Sequence, residues 1–138
     1  MYSVSRTVPR AAAGLRVEVA SLAVTVTGVF LLTIGGVVHF DRAELVRRAV
    51  PYLAVLFYLN AAGTLAAVVG IALRIRGAWT LGMLVAAPSA VLYLLAGTRG
   101  LPQVHLRTLT STGGMLCLIA EILYTALWLR VARRDLGL

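Results

Sequence analysis

Glu121 is the one acid in an apolar run from Gly113 to Leu129. By residue count it lies near the middle of a stretch long enough to cross a bilayer. An ionised carboxylate at that depth costs several kcal/mol. It must face protein, a water-filled cavity or a partner, or stay protonated. Two roles fit such a group. It can be a hydrogen-bonding strut between helices, typically worth only ~0.6–2 kcal/mol, or a carboxyl that binds a proton or substrate. Gln or Ser would serve a strut more cheaply, so both readings stand on the residues alone.

Other polar groups fall at comparable depth. Asn60 sits mid-way along its own apolar run, and Tyr93 and Tyr124 add hydroxyls. Glu121, Tyr124, Thr125 and Trp128 share a face at helical spacing. Asn60 and Glu121 are the pair expected to touch. Pro88 falls near the centre of another apolar run and leaves the Leu84 carbonyl without its helical donor, an acceptor that a protonated Glu121 could use.

His39 and His105 are both expected on the outward side of the membrane. Two histidines at similar depth could ligate haem b or a metal, but a histidine at the end of a helix is more often an interface anchor. With no CxxC and no Cys/His cluster of metal spacing, neither a cofactor nor a metal is expected. Cys117 is the only cysteine, so no intrachain disulfide can form. It lies one turn before Glu121 on the same face and reads as a packing residue. No nucleophile–base pair or phosphate loop is recognisable, so no enzymatic activity is expected.

The elements that must position these groups are four. The chain has 138 residues, 60% of them hydrophobic, and a mean hydropathy of +0.92. A soluble domain is closer to about half apolar. The pattern predicts an all-α, membrane-spanning four-helix bundle in a single domain, with helices over 17–38, 51–73, 78–97 and 112–130. Pro51 opens the second helix at a position that tolerates proline. The basic segment before the first helix is expected to be retained, because the apolar stretch is too long for a signal peptide and lacks a cleavage site. Between helices one and two, Asp41 and Glu44 look like a capping pair. Ala43, Val46 and Val50 then fall on one face, which predicts a short interfacial helix over 42–50.

The net charge is +8, and all thirteen basic residues are arginine. They cluster at the ends of the apolar runs, as anchors do, which excludes nucleic acid as a partner. The side bearing both termini and the 74–77 turn holds Arg6, Arg10, Arg16, Arg74, Arg76, Arg130, Arg133 and Arg134. The other side holds Arg42, Arg47, Arg48, Arg99 and Arg107. Eight against five predicts both termini in the cytoplasm of a multi-pass cell-membrane protein. Arg47, Arg48, Arg99 and Arg107 are candidates for lipid headgroups. Tyr2, Tyr52, Trp79 and Trp128 read as an aromatic belt.

Small residues recur at four-residue spacing on helix two, as Ala62, Ala66 and Gly70, and beside them Gly63 and Ala67. They fit a tight bundle or a homodimer. The bilayer, a second copy or a partner membrane protein are the expected partners.

Two stretches, Pro51–Gly63 and Trp79 to Pro102, precede a final helix bearing Glu121. Asn60, Gly63, the Gly100-Leu101-Pro102 turn and Glu121 together resemble small four-helix integral membrane proteins of high-GC bacteria that have no established activity. That resemblance implies the fold and no function. A midplane carboxyl in a four-helix chain is also similar to the small multidrug-resistance transporters, although those carry the acid in the first helix and this chain carries it in the last. The function expected first is a non-enzymatic subunit or accessory protein. A proton-linked carrier using Glu121 and a haem- or quinone-associated redox subunit are the alternatives.

Overall fold

The computed structural model describes residues 10–75, 77–100 and 111–135, with side chains described over 21–132 of these. Four helices make up the fold: α1 (Arg10–Val46), α2 (Pro51–Ala72), α3 (Ala78–Arg99) and α4 (Thr112–Asp135). There is no strand among the described residues. Each helix contains a stretch long and apolar enough to cross a membrane, so the chain is compatible with a multi-pass membrane protein. The outer surface fits that setting. Leu22, Phe30, Leu59, Leu65 and Leu73 are all more than 60% exposed, which suits lipid and would be costly in water.

The helices form a ring in which α1 packs on α2 and α4, and α3 packs on the same two. Across the diagonal, α1 and α3 meet only briefly. Neighbours run antiparallel. The start of α4 lies against the ends of α1 and α3, with Gly113 under Arg42 and Gly114 under Tyr93. The start of α3 reaches the far half of α4, where Trp79 stacks on Tyr124.

α1 differs from expectation. It is one helix of 37 residues, about 55 Å long at the usual rise, and so longer than a hydrocarbon core. The separate interfacial helix over 42–50 does not exist. Residues 42–46 continue α1, and a turn over 47–49 leads to Pro51. The reason is physical. No Gly or Pro breaks the chain between Val38 and Val46, and the apolar stripe faces protein instead of headgroups. Ala43 is fully buried and Val50 nearly so. The other helices start where the sequence places them; α3 ends two residues later and α4 five residues later than expected.

The small residues of α2 divide between inside and outside. Ala67 and Gly70 are buried, and a methyl on Gly63 would meet Val85. These residues let α3 approach. Ala62 and Ala66 face outward. The α2–α3 turn closes with the Ile75 amide donating to Gly70 O at 2.8 Å and the Arg74 amide to Ile71 O at 3.0 Å. This is a Schellman cap. Its left-handed position is held by Arg74, at φ 56°, where glycine is usual.

Candidate functional site

Glu121 is buried in the middle of the bundle, 6% exposed. Its neighbours come from three helices. Ser89 of α3 and Cys117 of α4 lie beside its carboxyl. His39 of α1 places Nε2 at 3.7 Å from Glu121 Oε1, too long for a direct hydrogen bond. Ser89 bridges the pair, with its Oγ 3.0 Å from the same Nε2. α2 closes the remaining side with Phe57, edge-on to the imidazole at 5.4 Å.

Local sequence explains each placement. Cys117 and Glu121 are one turn apart, so both point to the same side of α4. His39 follows Gly35 by one turn on α1, and its Nδ1 lies 2.8 Å from Gly35 O. A carbonyl can only accept, so Nδ1 carries a hydrogen and donates it. In a neutral ring Nε2 is then the acceptor. Ser89 donates to it. Ser89 therefore stands between His39 and the Glu121 carboxyl. The Cys117 sulfur stands 3.4 Å from Nδ1, close enough to share that hydrogen weakly.

This arrangement corrects the reading of His39 as an outward-facing interface anchor. It is 7% exposed and faces Glu121 of the neighbouring α4. Glu121 also does not rely on the Leu84 carbonyl left free by Pro88; its α3 partner is Ser89, the residue after that proline. His105 and Arg107 lie outside the described residues.

The remaining predicted residues divide. Asn60 and Tyr124 line the same small cavity as Glu121, together with Gly35 and Thr64. Its free space is about 10 Å³, at the lower limit for one water. Asn60 and Thr64 are bonded to each other, Thr64 Oγ1 donating to Asn60 Oδ1 at 3.3 Å, so Asn60 shares a cavity with Glu121 and has a partner of its own. Tyr124 is fully buried, and its hydroxyl donates to Trp79 O at 3.0 Å. Trp79 is half-buried and packs its ring against the core at the start of α3. Tyr93 sits about a turn from the cluster, over Gly114 and within electrostatic reach of Arg42 and Cys117.

The arginines are placed without a ligand to judge them by. Arg47 pairs with Glu44 at 3.2 Å, and Glu44 also accepts from Tyr58. Arg48 and Arg99 are exposed at the same end of the bundle. Arg42, one turn past His39, lies over Gly113, and its Nε is buried with no partner.

Sequence reasoning missed Ser89 and the partnership of His39 with Glu121. A signal existed for each. Ser89 is a hydroxyl near the middle of an apolar run, and Gly35, His39 and Ala43 form one stripe of α1. His39, Cys117 and Glu121 each offer one ligand atom, all within 4.8 Å of one another and all buried. This is the one group of the described residues with the spacing to hold a metal ion.

No protein-family model, no curated protein and no solved structure matches the chain.

Proposed function

We propose that the chain is a non-enzymatic multi-pass protein of the cell membrane whose work is the reversible binding of a cation at the His39–Ser89–Cys117–Glu121 cluster. One observation carries this reading. An imidazole, a thiol and a carboxyl from two helices are buried together at mid-bundle, bridged by a serine from a third. Ionisable groups inside a membrane are costly and commonly mark a path or a site. A structural strut would need only one amide or hydroxyl on each helix. The Cys117 thiol and the Glu121 carboxyl can instead each exchange a proton for another cation.

The chain then works either as a cation-binding subunit of a larger assembly or as a small carrier. The placement of Glu121 and His39 on different helices, with Ser89 beside both, favours a carrier, because it gives the site two ends. The test is reconstitution of the full chain in liposomes loaded with a proton-sensitive or metal-sensitive dye. Cation flux above that of empty vesicles, lost in Glu121→Gln and in His39→Asn, is the expected result for a carrier. Stoichiometric cation binding without flux is the result for a subunit. Native mass spectrometry after gentle extraction from its own membrane would then name the partner. Flux and binding that both variants leave intact would end the reading.

A further inference from the structure

We propose that the cation this cluster is built for is a borderline-soft divalent metal ion of the zinc type, held by His39 Nε2, Cys117 Sγ and one Glu121 carboxylate oxygen. The inference rests on the reading of the cluster as a cation site and names its ligand.

Spacing is the first argument. Tetrahedral zinc binds nitrogen, sulfur and oxygen at about 2.0–2.3 Å, which sets ligand atoms roughly 3.3–3.8 Å apart. His39 Nε2 lies 3.7 Å from Glu121 Oε1, and the Cys117 sulfur stands on the other edge of the ring, 3.4 Å from Nδ1. One ligand atom from each of the three falls within 4.8 Å of the others, so a turn of the Cys117 side chain toward Nε2 draws the three into a half-shell.

The second argument is support around the ligands. A metal-binding histidine usually donates its other ring N–H to a carbonyl or carboxylate, which fixes the ring and its tautomer. His39 does this already, through Nδ1 to Gly35 O at 2.8 Å. Its free nitrogen therefore points into the cluster. Ser89, 3.0 Å from that nitrogen, stands where a fourth ligand or a bound water would be held.

Charge is the third. When the ion arrives, the Cys117 thiol and the Glu121 carboxyl each release a proton, and the imidazole stays neutral. One dication with two anionic ligands leaves no net charge, the condition a buried site in a membrane requires. The nearest fixed cation on α1, Arg42, is turned toward Gly113 and Tyr93. Magnesium and calcium prefer all-oxygen shells, so a sulfur–nitrogen–oxygen set selects against them.

The test uses the full chain, purified in detergent, freed of metal and kept reduced. Cobalt(II) serves as the probe, with zinc as competitor. The expected result is one cobalt per chain with a thiolate-to-cobalt charge-transfer band in the near ultraviolet, displaced by zinc and unaffected by excess magnesium. Cys117→Ser should lose the band, and Glu121→Gln and His39→Asn should each weaken binding by at least about tenfold, while Ser89→Ala weakens it by about tenfold. A second readout does not depend on variants folding. Zinc, and not magnesium, should raise the unfolding midpoint of the native chain.

No cobalt band with the native chain, or a band that survives Cys117→Ser, overturns the proposal. If cobalt fails while Glu121-dependent proton flux persists, the metal assignment falls and the cation site stands. If both fail, both readings fall.

Discussion

At one level of the bundle α1, α3 and α4 meet through Gly28, Trp79 and Tyr124. One turn along α4 the same helices meet through His39, Ser89, Cys117 and Glu121. The first level is closed at its centre by packed rings, with Trp79 half-exposed at its edge. Trp79 and Tyr124 stack nearly parallel, 5.8 Å apart, and glycines on two helices admit the rings. A methyl on Gly82 would fall 2.4 Å from the Tyr124 oxygen, and one on Gly28 within 2.6 Å of the Trp79 ring. The Tyr124 hydroxyl is committed to a backbone carbonyl. In the second level the groups bond chiefly to one another, and each bond involves a group that can gain or lose a proton. Shape holds the first level together, whereas in the second exchangeable polar contacts span a diagonal that α1 and α3 otherwise barely bridge. On α4 the two levels are adjacent turns, whereas on α1 and α3 they stand about three turns apart.

The largest expected effect tests the closed level. Tyr124→Ala removes the one large side chain that is wholly buried. Cavity formation of this size costs about 3–5 kcal/mol in well-packed cores. The midpoint of thermal unfolding in detergent should fall further than for any variant of the polar cluster. Cobalt binding measured well below that midpoint should persist. Loss of binding in a still-folded protein would show that the two levels are not separable.

How much of this was legible in the sequence follows the same division. Four apolar runs, Pro51 at a helix start and the smalls of α2 stated the fold directly, because lipid imposes one length and one pattern on every span. Glu121 announced itself by being an acid where acids are costly. Its partners did not. His39 stands close to the end of its apolar run, and residue counting put that run's end at Val38. The extension of α1 to Val46 carries the histidine inside the bundle, and no local pattern distinguishes an apolar stripe facing headgroups from one facing protein. Trp79 poses the same problem: a tryptophan at the start of a span looks like a belt residue, and only the packed bundle shows that its ring also meets Gly28 and Tyr124. Pairings across a bundle depend on helix rotation, which periodicity alone does not set.

A smaller effect sharpens the account of the closed level. Gly28→Ala would place a methyl 2.5 Å from one Trp79 ring carbon. Any retreat of the ring disturbs its stack on Tyr124. Overpacking of this kind costs about 1–3 kcal/mol. A lower unfolding midpoint and an altered tryptophan emission are expected, whereas an unchanged midpoint would mean that Trp79 is not wedged.

Glu121→Gln reverses the pattern. An interhelical hydrogen bond in a membrane averages about 0.6 kcal/mol, and Gln keeps the size and an acceptor oxygen. Unfolding should shift by less than about 1 kcal/mol while cation binding is lost. A large loss of stability with function intact would make Glu121 a strut and undo the division between levels.

The smallest effect is a gain. Arg74 occupies the left-handed position of the α2–α3 cap at φ 56°, a conformation that costs a residue with a Cβ roughly 1–2 kcal/mol. Arg74→Gly removes that strain and returns part of it as added freedom in the unfolded chain. A net gain of about 0.5 kcal/mol is expected, read as a higher unfolding midpoint. The cap lies at the closed end, beside Gly70 and Ala78, whose close approach it fixes. If stability and site are distinct, this variant should unfold later and bind cobalt no differently from the native chain. A change in binding would mean that the packing of α2 on α3 sets the position of Ser89, and that the closed level positions the polar one.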